Sequence, residues 1–379
     1  MDYHNEDIVL KFIDNNVVDF VQLSEVAKIS YGLPQNCSSQ GEFPVYGSGG
    51  IIRYSNQYIY DMESVLIPRK GSLDKIFYVN VPFWTIDTIF YTKIDIKLLN
   101  PKFFYYYLQT QRLEKFNLAG GVPTLTKTIL DKILIPIPPL HIQALIVNIF
   151  DKFTELISVL SQELKTRKIQ FEYYRDSLLS FDSINFIDNR KRVIQNNFQT
   201  FQWLKLGDIA EIGAGSSNAN EEHKNGIYPF FVRSQDMRYK NSYEFDETAI
   251  ITSGDGVGVG KIFHYFKGKY ALHQKAYRIK ITNTEINPKF IFYYMQTNFL
   301  HYINMTAVHA SVKSIRKPML EMYSIAIPTI KEQDFIVSIL DPFFILINDM
   351  NEGLPAEINA RLKQYEYYRH QFLNFNLNT

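Results

Sequence analysis

The segment QFEYYRDSLLSF, from Gln170 to Phe181, returns as QYEYYRHQFLNF from Gln364 to Phe375. Internal repetition limits a fold more sharply than any other pattern, because each copy of a repeat must build the same supersecondary unit. The match extends far beyond this segment. LSEVAKISYG, Leu23 to Gly32, returns as LGDIAEIGAG, Leu206 to Gly215, and IPIPPLHIQALIVNIFDKF from Ile135 returns as IAIPTIKEQDFIVSILDPF from Ile325. NPKFFYYYLQT, Asn100 to Thr110, returns as NPKFIFYYMQT, Asn287 to Thr297, with eight of eleven positions identical. The offset drifts from 183 through 187 and 190 to 194, which marks small insertions within one ancestral unit. At 379 residues the chain has room for two cores, since a single core usually stops growing at about 250 residues.

Both halves share one layout. Short runs rich in β-branched and aromatic residues, SVLIPRK, KIFYVN and IFYTKI in the first copy and TAIITSG, KIFHYF and AYRIKI in the second, read as strands. One helix begins where Asn100 or Asn287 can cap and Pro101 or Pro288 fills the first turn. A proline-rich exit then leads into a long helical segment. The expected fold class is α/β (α+β): globular domains at 1–138 and 189–327, with long helices at 139–188 and 328–379.

In the first helix Leu160, Leu164, Phe171, Tyr174, Leu178 and Phe181 recur at spacings that sum threes and fours, and Ile358, Tyr365, Tyr368, Phe372 and Phe375 repeat the phase in the second. This is the pattern of a coiled-coil seam. A helix of about 40 residues would run roughly 60 Å, too far for one small domain to cover, so the two helices are expected to pair. A core stripe docked on each helix's own domain is the competing reading. The second copy carries four extra residues near Asn351 to Pro355. Gly353 and Pro355 place a helix break there.

Composition removes several classes. Aromatics make up 15% and hydrophobic residues 46%, so disorder is not expected, and no apolar run approaches the roughly 18 residues of a membrane span. The start, MDYHNEDIVLKF, does not read as a signal peptide. A single cysteine, Cys37, leaves no disulfide framework and no cysteine-based zinc site. A soluble, cytoplasmic protein with no metal and no cofactor is expected. Forty basic against 39 acidic residues give a net charge of +1, so nucleic-acid binding would rest on local loops.

In their duplicated order, FPVYGSGGI, SVLIPRKGSLDKIF, FWTIDTIFY, NPKFFYYYLQT and GGVPTLTKTILDKILIPIPPL, followed by a long helix ending EYYRDSLL, resemble the specificity (S) subunit of type I restriction-modification systems. That resemblance covers nearly the whole chain. It implies two target recognition domains, each reading one half of a bipartite double-stranded DNA sequence. It also implies an antiparallel coiled coil of the two helices holding them apart with pseudo-twofold symmetry. Catalysis would belong to partners: two modification (methyltransferase) subunits and, where the system has them, restriction subunits.

Two loop regions are the candidate DNA contacts. SGDGVGVGK, Ser253 to Lys261, fails the Walker spacing, with Asp255 where glycine is needed and Ile262 after the lysine. It reads either as a turn between strands or as a DNA-facing loop. Its first-half counterpart, PRKGSLDK, offers Arg69, Lys70, Ser72 and Lys75 against Ser253 and Lys261. The second region runs from Val45 to Tyr58, with Ser48 and Arg53, and reappears ending at Tyr243 with Arg233, Gln235 and Arg238, side chains suited to bidentate base reading. Trp84 and Asp87 match His273 and Gln274, of which the latter two can reach bases. No catalytic constellation is visible: there is no HExxH, no acidic-Pro-Pro-Tyr motif and no glycine-rich loop for a methyl donor. The rival readings are a structural coiled-coil adaptor whose paired domains bind protein, a recognition partner of another methyltransferase type, and an enzyme acting alone.

Overall fold

The structure, a computed structural model, describes residues 3–34, 41–117, 122–180, 201–306 and 314–375. Cys37, Phe181 and the expected boundary at 188/189 lie outside the described residues. The chain forms two compact units. The first takes residues 1–161 together with 357–379, and the second takes 162–356. Each unit thus combines one α+β domain with parts of both helical regions, a grouping that the linear four-part division of the sequence did not contain.

In the first unit, helix α1 (Tyr3–Asn15) precedes strand β1 (Phe20–Gln22), the short helix α2 (Leu23–Val26) and β2 (Ala27–Tyr31). Strands β3 (Phe43–Gly47), β4 (Gly50–Ser55), β5 (Ser64–Pro68), β6 (Phe77–Val79), β7 (Trp84–Thr85) and β8 (Ile89–Ile94) follow, then helix α3 (Pro101–Thr110), the turn α4 (Lys127–Leu130), β9 (Leu134–Pro136) and helix α5 (Leu140–Leu179). The strands pair as a four-stranded sheet β2-β8-β5-β6, a three-stranded sheet β4-β3-β7 and a ladder β1-β9. Strand β5 is buried along its whole length, which explains the apolar run VLIP after Ser64, whose buried hydroxyl donates to the Thr92 carbonyl.

The second unit repeats the plan with β10 (Phe201–Lys205), α6 (Leu206–Ile209), β11 (Ala210–Ala214), β12 (Tyr228–Phe231), β13 (Arg238–Lys240), β14 (Phe245–Ser253), β15 (Phe263–Leu272) and β16 (Ala276–Ile281). Helix α7 (Pro288–Thr306), α8 (Lys317–Glu321), β17 (Ser324–Pro328), α9 (Ile330–Asn348) and α10 (Leu354–Leu373) follow. Here one six-stranded sheet, β11-β16-β14-β15-β12-β13, replaces the two larger sheets of the first unit. The long strand β15 joins both parts, whereas in the first copy the equivalent path is split between β6 and β7 at Val81 and Pro82. Proline brings no amide hydrogen to a ladder, so the strand stops there.

Identical struts tie each domain to its helix. Asn100 Oδ1 caps α3 by accepting from the amides of Lys102 and Phe103, at 2.9 and 3.2 Å. The fully buried Gln143 accepts from the Asn100 amide at 2.7 Å and donates to the carbonyls of Leu98 and Pro138. Gln333 does the same for Asn287, Glu285 and Pro328. Asp151 accepts from Lys102 and Tyr106, as Asp341 does from Lys289 and Tyr293. Burial and the Asp151 carboxylate push the Tyr106 phenol well above its ordinary value, and Asp341 acts alike on Tyr293.

Helix α5 is continuous over 40 residues. The second helical region is two helices, α9 and α10, with the expected break falling at Asp349–Gly353 and Pro355 in the first turn of α10. The aromatic stripe both pairs helices and completes cores. In the first unit Tyr365 and Phe372 of α10 meet Phe150 at ring distances of 5.6 and 6.2 Å, Tyr368 meets Phe153, and Phe375 meets Phe103. In the second unit Phe171 of α5 meets Phe344 of α9 and Tyr293 of α7, Tyr174 meets Phe343, and Leu178 is buried. Leu160, Leu164 and Ile358 are half-buried. Glu6 of α1 accepts from the Tyr368 hydroxyl at 2.6 Å. That bond, with burial, pushes the phenol up to about 12.

Candidate nucleic-acid interface

Three loops converge on one edge of the first unit: the turn after β3, the tip after β5 and the turn before β8. The amides of Arg69 and Lys70 donate to the Thr88 carbonyl at 2.9 and 3.2 Å, and the Ser48 amide donates to Thr88 Oγ1 at 3.3 Å. Ile86 donates to the Tyr46 carbonyl, and Lys70 bridges to Thr124. Gly71 sits at φ 86°, with Ser48 Oγ within 3.4 Å of where a Cβ would stand. Only glycine takes that conformation without strain. Positions 48, 70 and 88 are therefore neighbours.

The second unit reproduces the main bonds of this frame. His273 donates to the Phe231 carbonyl as Ile86 does to Tyr46, and Gly254 donates to Lys275 as Arg69 does to Thr88. Asp255 bridges to Ser314 as Lys70 does to Thr124, and Gly256 repeats the left-handed turn at φ 87°. Arg238 pairs across from Phe230 as Arg53 does from Val45. The hydrogen bonds therefore equate Ser48 with Arg233, Lys70 with Asp255 and Thr88 with Lys275. They also correct one match drawn from sequence. His273 stands in the place of Ile86, while Trp84 is equivalent to Ala271 and uses its indole to bond the Leu33 carbonyl at 2.9 Å.

The candidate side chains divide by surroundings. Arg69 is half-buried, donating to the Asp87 carbonyl at 3.2 Å and lying 5.4 Å over the Tyr31 ring, while Lys70 and Lys75 are exposed and Ser72 is half-buried. Arg53 is half-buried on β4. Its equivalent, Arg238, pairs with Glu222 at 2.9 Å. In the second unit Arg233, Arg238, Asp255, Val257 and His273 line a cleft of about 340 Å³. Asp255 accepts from Lys275 at 3.1 Å and from Arg233 at 3.5 Å. The Lys275 bond, more than any other influence, holds its carboxyl below the usual range. His273 Nδ1 accepts from the Lys275 amide, and burial followed by the Arg233, Lys275 and Arg238 charges pushes its imidazole down. Ser253 is buried and bonds the Asp255 carbonyl. Gln274 donates to Asn218, Gln235 is exposed, and Lys261 is exposed outside the cleft lining.

Sequence reasoning missed Thr88 in the first unit's cluster and Asp255 and Lys275 in the second unit's, because the loops that build each cluster are up to 42 residues apart in the chain. It also missed Gln143 and Gln333, whose signal was present: the same glutamine at the same offset within IPPLHIQ and IPTIKEQ. A larger hollow of about 560 Å³ in the first unit, bounded by Leu73, Tyr105, Leu362 and Tyr365, belongs to the helix seam and not to the loops. Among the described residues, no cluster of His, Cys, Asp and Glu could hold a metal ion, and no helix is long and apolar enough to cross a membrane.

Two homologous α+β domains, each offering a loop edge built on one frame with different side chains, define a duplicated recognition protein. Residues 15–167 and 199–360 each match the family described as Type I restriction modification DNA specificity domain, and the chain belongs to that family. It is similar to a protein of Haemophilus influenzae described as a putative type I restriction enzyme specificity subunit, 30% identical over 98% of this chain and 99% of the relative. The specificity subunit of Escherichia coli EcoR124I/EcoR124II is 32% identical over 64% of this chain and 63% of that protein. Among solved structures, the S subunit of a type I restriction-modification system from M. genitalium shares the fold, with a TM-score of 0.70 at 14% identity over 96% of this chain and 98% of that one.

Proposed function

We propose that this chain is the sequence-recognition subunit of a type I restriction-modification complex, with one unit reading each half of a bipartite, asymmetric duplex DNA target. The observation that carries this reading is the common frame with different contents. A shared arginine, Arg53 or Arg238, suits the sequence-independent part of the contact, while Ser48, Lys70 and Thr88 against Arg233, Asp255 and Lys275 suit different base edges. Paired helices of an antiparallel coiled coil would couple the two units and, being duplicated, would offer equivalent docking faces to two modification subunits. Methylation and cleavage would fall to modification and restriction partners, so this chain acts without catalytic residues of its own.

The test is to co-express the chain with its modification subunits and map methylated bases in the host DNA. A bipartite motif with unlike halves is expected. Replacing residues 23–133 with the same segment of a relative should change one half and leave the other. Simultaneous change of both halves would overturn independent reading. Retention of the partners with no DNA selectivity, even with the full complex, would favour a protein-binding adaptor.

A further inference from the structure

The second unit's edge holds an arrangement of charge that its counterpart lacks. The Asp255 carboxylate sits between two cations, accepting from Lys275 at 3.1 Å and from Arg233 at 3.5 Å. Its backbone is already fixed by the bridge to Ser314, so these pairs are not what secures the loop. A carboxylate in the middle of the patch also works against phosphate, which it repels at close range. The arrangement has a different use. Read across the edge it spells donor, acceptor, donor, and beside it Val257 is 97% exposed at the loop tip.

In the major groove an A·T pair presents the adenine N7 acceptor, the adenine N6 donor and the thymine O4 acceptor, with the thymine methyl alongside. Both orientations of A·T put the donor in the middle. Both orientations of G·C put the guanine O6 acceptor there, facing a carboxylate with no proton to offer.

We propose that the Arg233, Asp255 and Lys275 cluster makes the second unit selective for an A·T pair, with Asp255 rejecting G·C and Val257 meeting the thymine methyl. This rests on the DNA-recognition reading above. At the equivalent place in the first unit stand Ser48, Lys70 and Thr88, with hydroxyls that can either donate or accept, so that unit has no central carboxylate to impose the same choice.

The experiment uses the chain assembled with its modification subunits and a duplex library in which each position of the mapped target is varied singly. Wild-type protein is expected to require A·T at one position of one half-site. Asp255→Asn, whose amide can donate to O6, should admit G·C there, narrowing the preference by about fivefold or more, with the other half-site unchanged as an internal control for folding. A second arm needs no variant: replacing that thymine by uracil, which lacks the methyl, should weaken binding by the wild-type complex. An Asp255→Asn protein with unaltered preference, or one that loses affinity equally for every sequence, overturns the proposal, as does indifference to uracil. If Asp255→Asn fails to assemble, Arg233→Gln must disturb the same base pair, and selectivity there untouched by it is equally fatal. A wild-type complex with no sequence preference at any position would instead remove the recognition reading itself.

Discussion

At the scale of single residues, the strongest constraints are buried polar groups with complete sets of partners. Gln143 and Gln333 are both 0% exposed, and each satisfies one amide and two carbonyls at the point where a domain meets its helix. Leucine has similar volume but leaves those groups unpaired. Gln143→Leu or Gln333→Leu should therefore destabilise by about 2–4 kcal/mol, measurable by urea denaturation, and wild-type stability in either variant would show that water replaces the amide. The histidines of the second unit give a pH prediction. Burial lowers His264, and burial with Arg233, Lys275 and Arg238 lowers His273, from the ordinary value of 6.5. The unfolded chain then binds more protons near pH 6.5 than the folded one, so this stability is full above that value and is lost as pH falls through the folded pKa values. Melting temperatures of the second unit should drop between about pH 7 and 5, and His264→Gln with His273→Gln should flatten the slope. An equally steep slope in the double variant would assign the effect elsewhere. Residue identities at these places were legible in the sequence. Their partners were not, because Asp255 meets Arg233 and Lys275 only after three loops have folded together.

At the scale of elements, local signals survived folding well because they act through the nearest few residues. Asn100 and Pro101 start α3, Thr329 and Glu332 form a capping box on α9, and the glycine run after Ser253 is a turn between β14 and β15. The break near Gly353 is another such signal, and its cause is steric as well as conformational. A Cβ on Gly353 would stand 2.6 to 2.8 Å from the carbonyl oxygens of Ile345, Asp349 and Leu346, all backbone atoms that cannot swing aside. Gly353→Ala should thus cost about 1–3 kcal/mol, more than Pro355→Ala at the permissive first turn of α10. Comparative thermal melts decide this, and a harmless Gly353→Ala would mean that the connection readily adopts another path. Less legible was the role of the stripe. Spacings of three and four showed that Phe171, Tyr174, Tyr365 and Tyr368 share helix faces, but periodicity alone could not tell a helix seam from a domain core. In the fold they serve both, since Phe171 touches helices α7 and α9 at once.

At the scale of the molecule, the division into units does not follow chain order, and that has a testable consequence. The first unit needs residues from both ends of the chain: Phe372, Leu373 and Phe375 are buried with Phe103, Phe150 and Phe153 in one core, and Glu6 bonds Tyr368. The second unit draws its α5 segment and α9 from within the stretch 162–356. Removing residues 357–379 should therefore strip one core and spare the other. Burial of a large apolar side chain stabilises by about 1.5–3 kcal/mol. Loss of contacts to several aromatic side chains thus approaches the whole stability of an ordinary domain, about 5–15 kcal/mol. Amide hydrogen exchange separates the two cases. In the truncated chain, protection should collapse along β5 and β8 of the first unit, while β14 and β16 of the second keep theirs. A peptide spanning 357–379, added in trans, should restore the lost protection because it returns Phe372 and Phe375 to Phe150 and Phe103 without any covalent link. Undiminished exchange protection in the first unit after truncation would show that its domain core stands without the helix, and that the shared aromatics serve only to hold α10 in place.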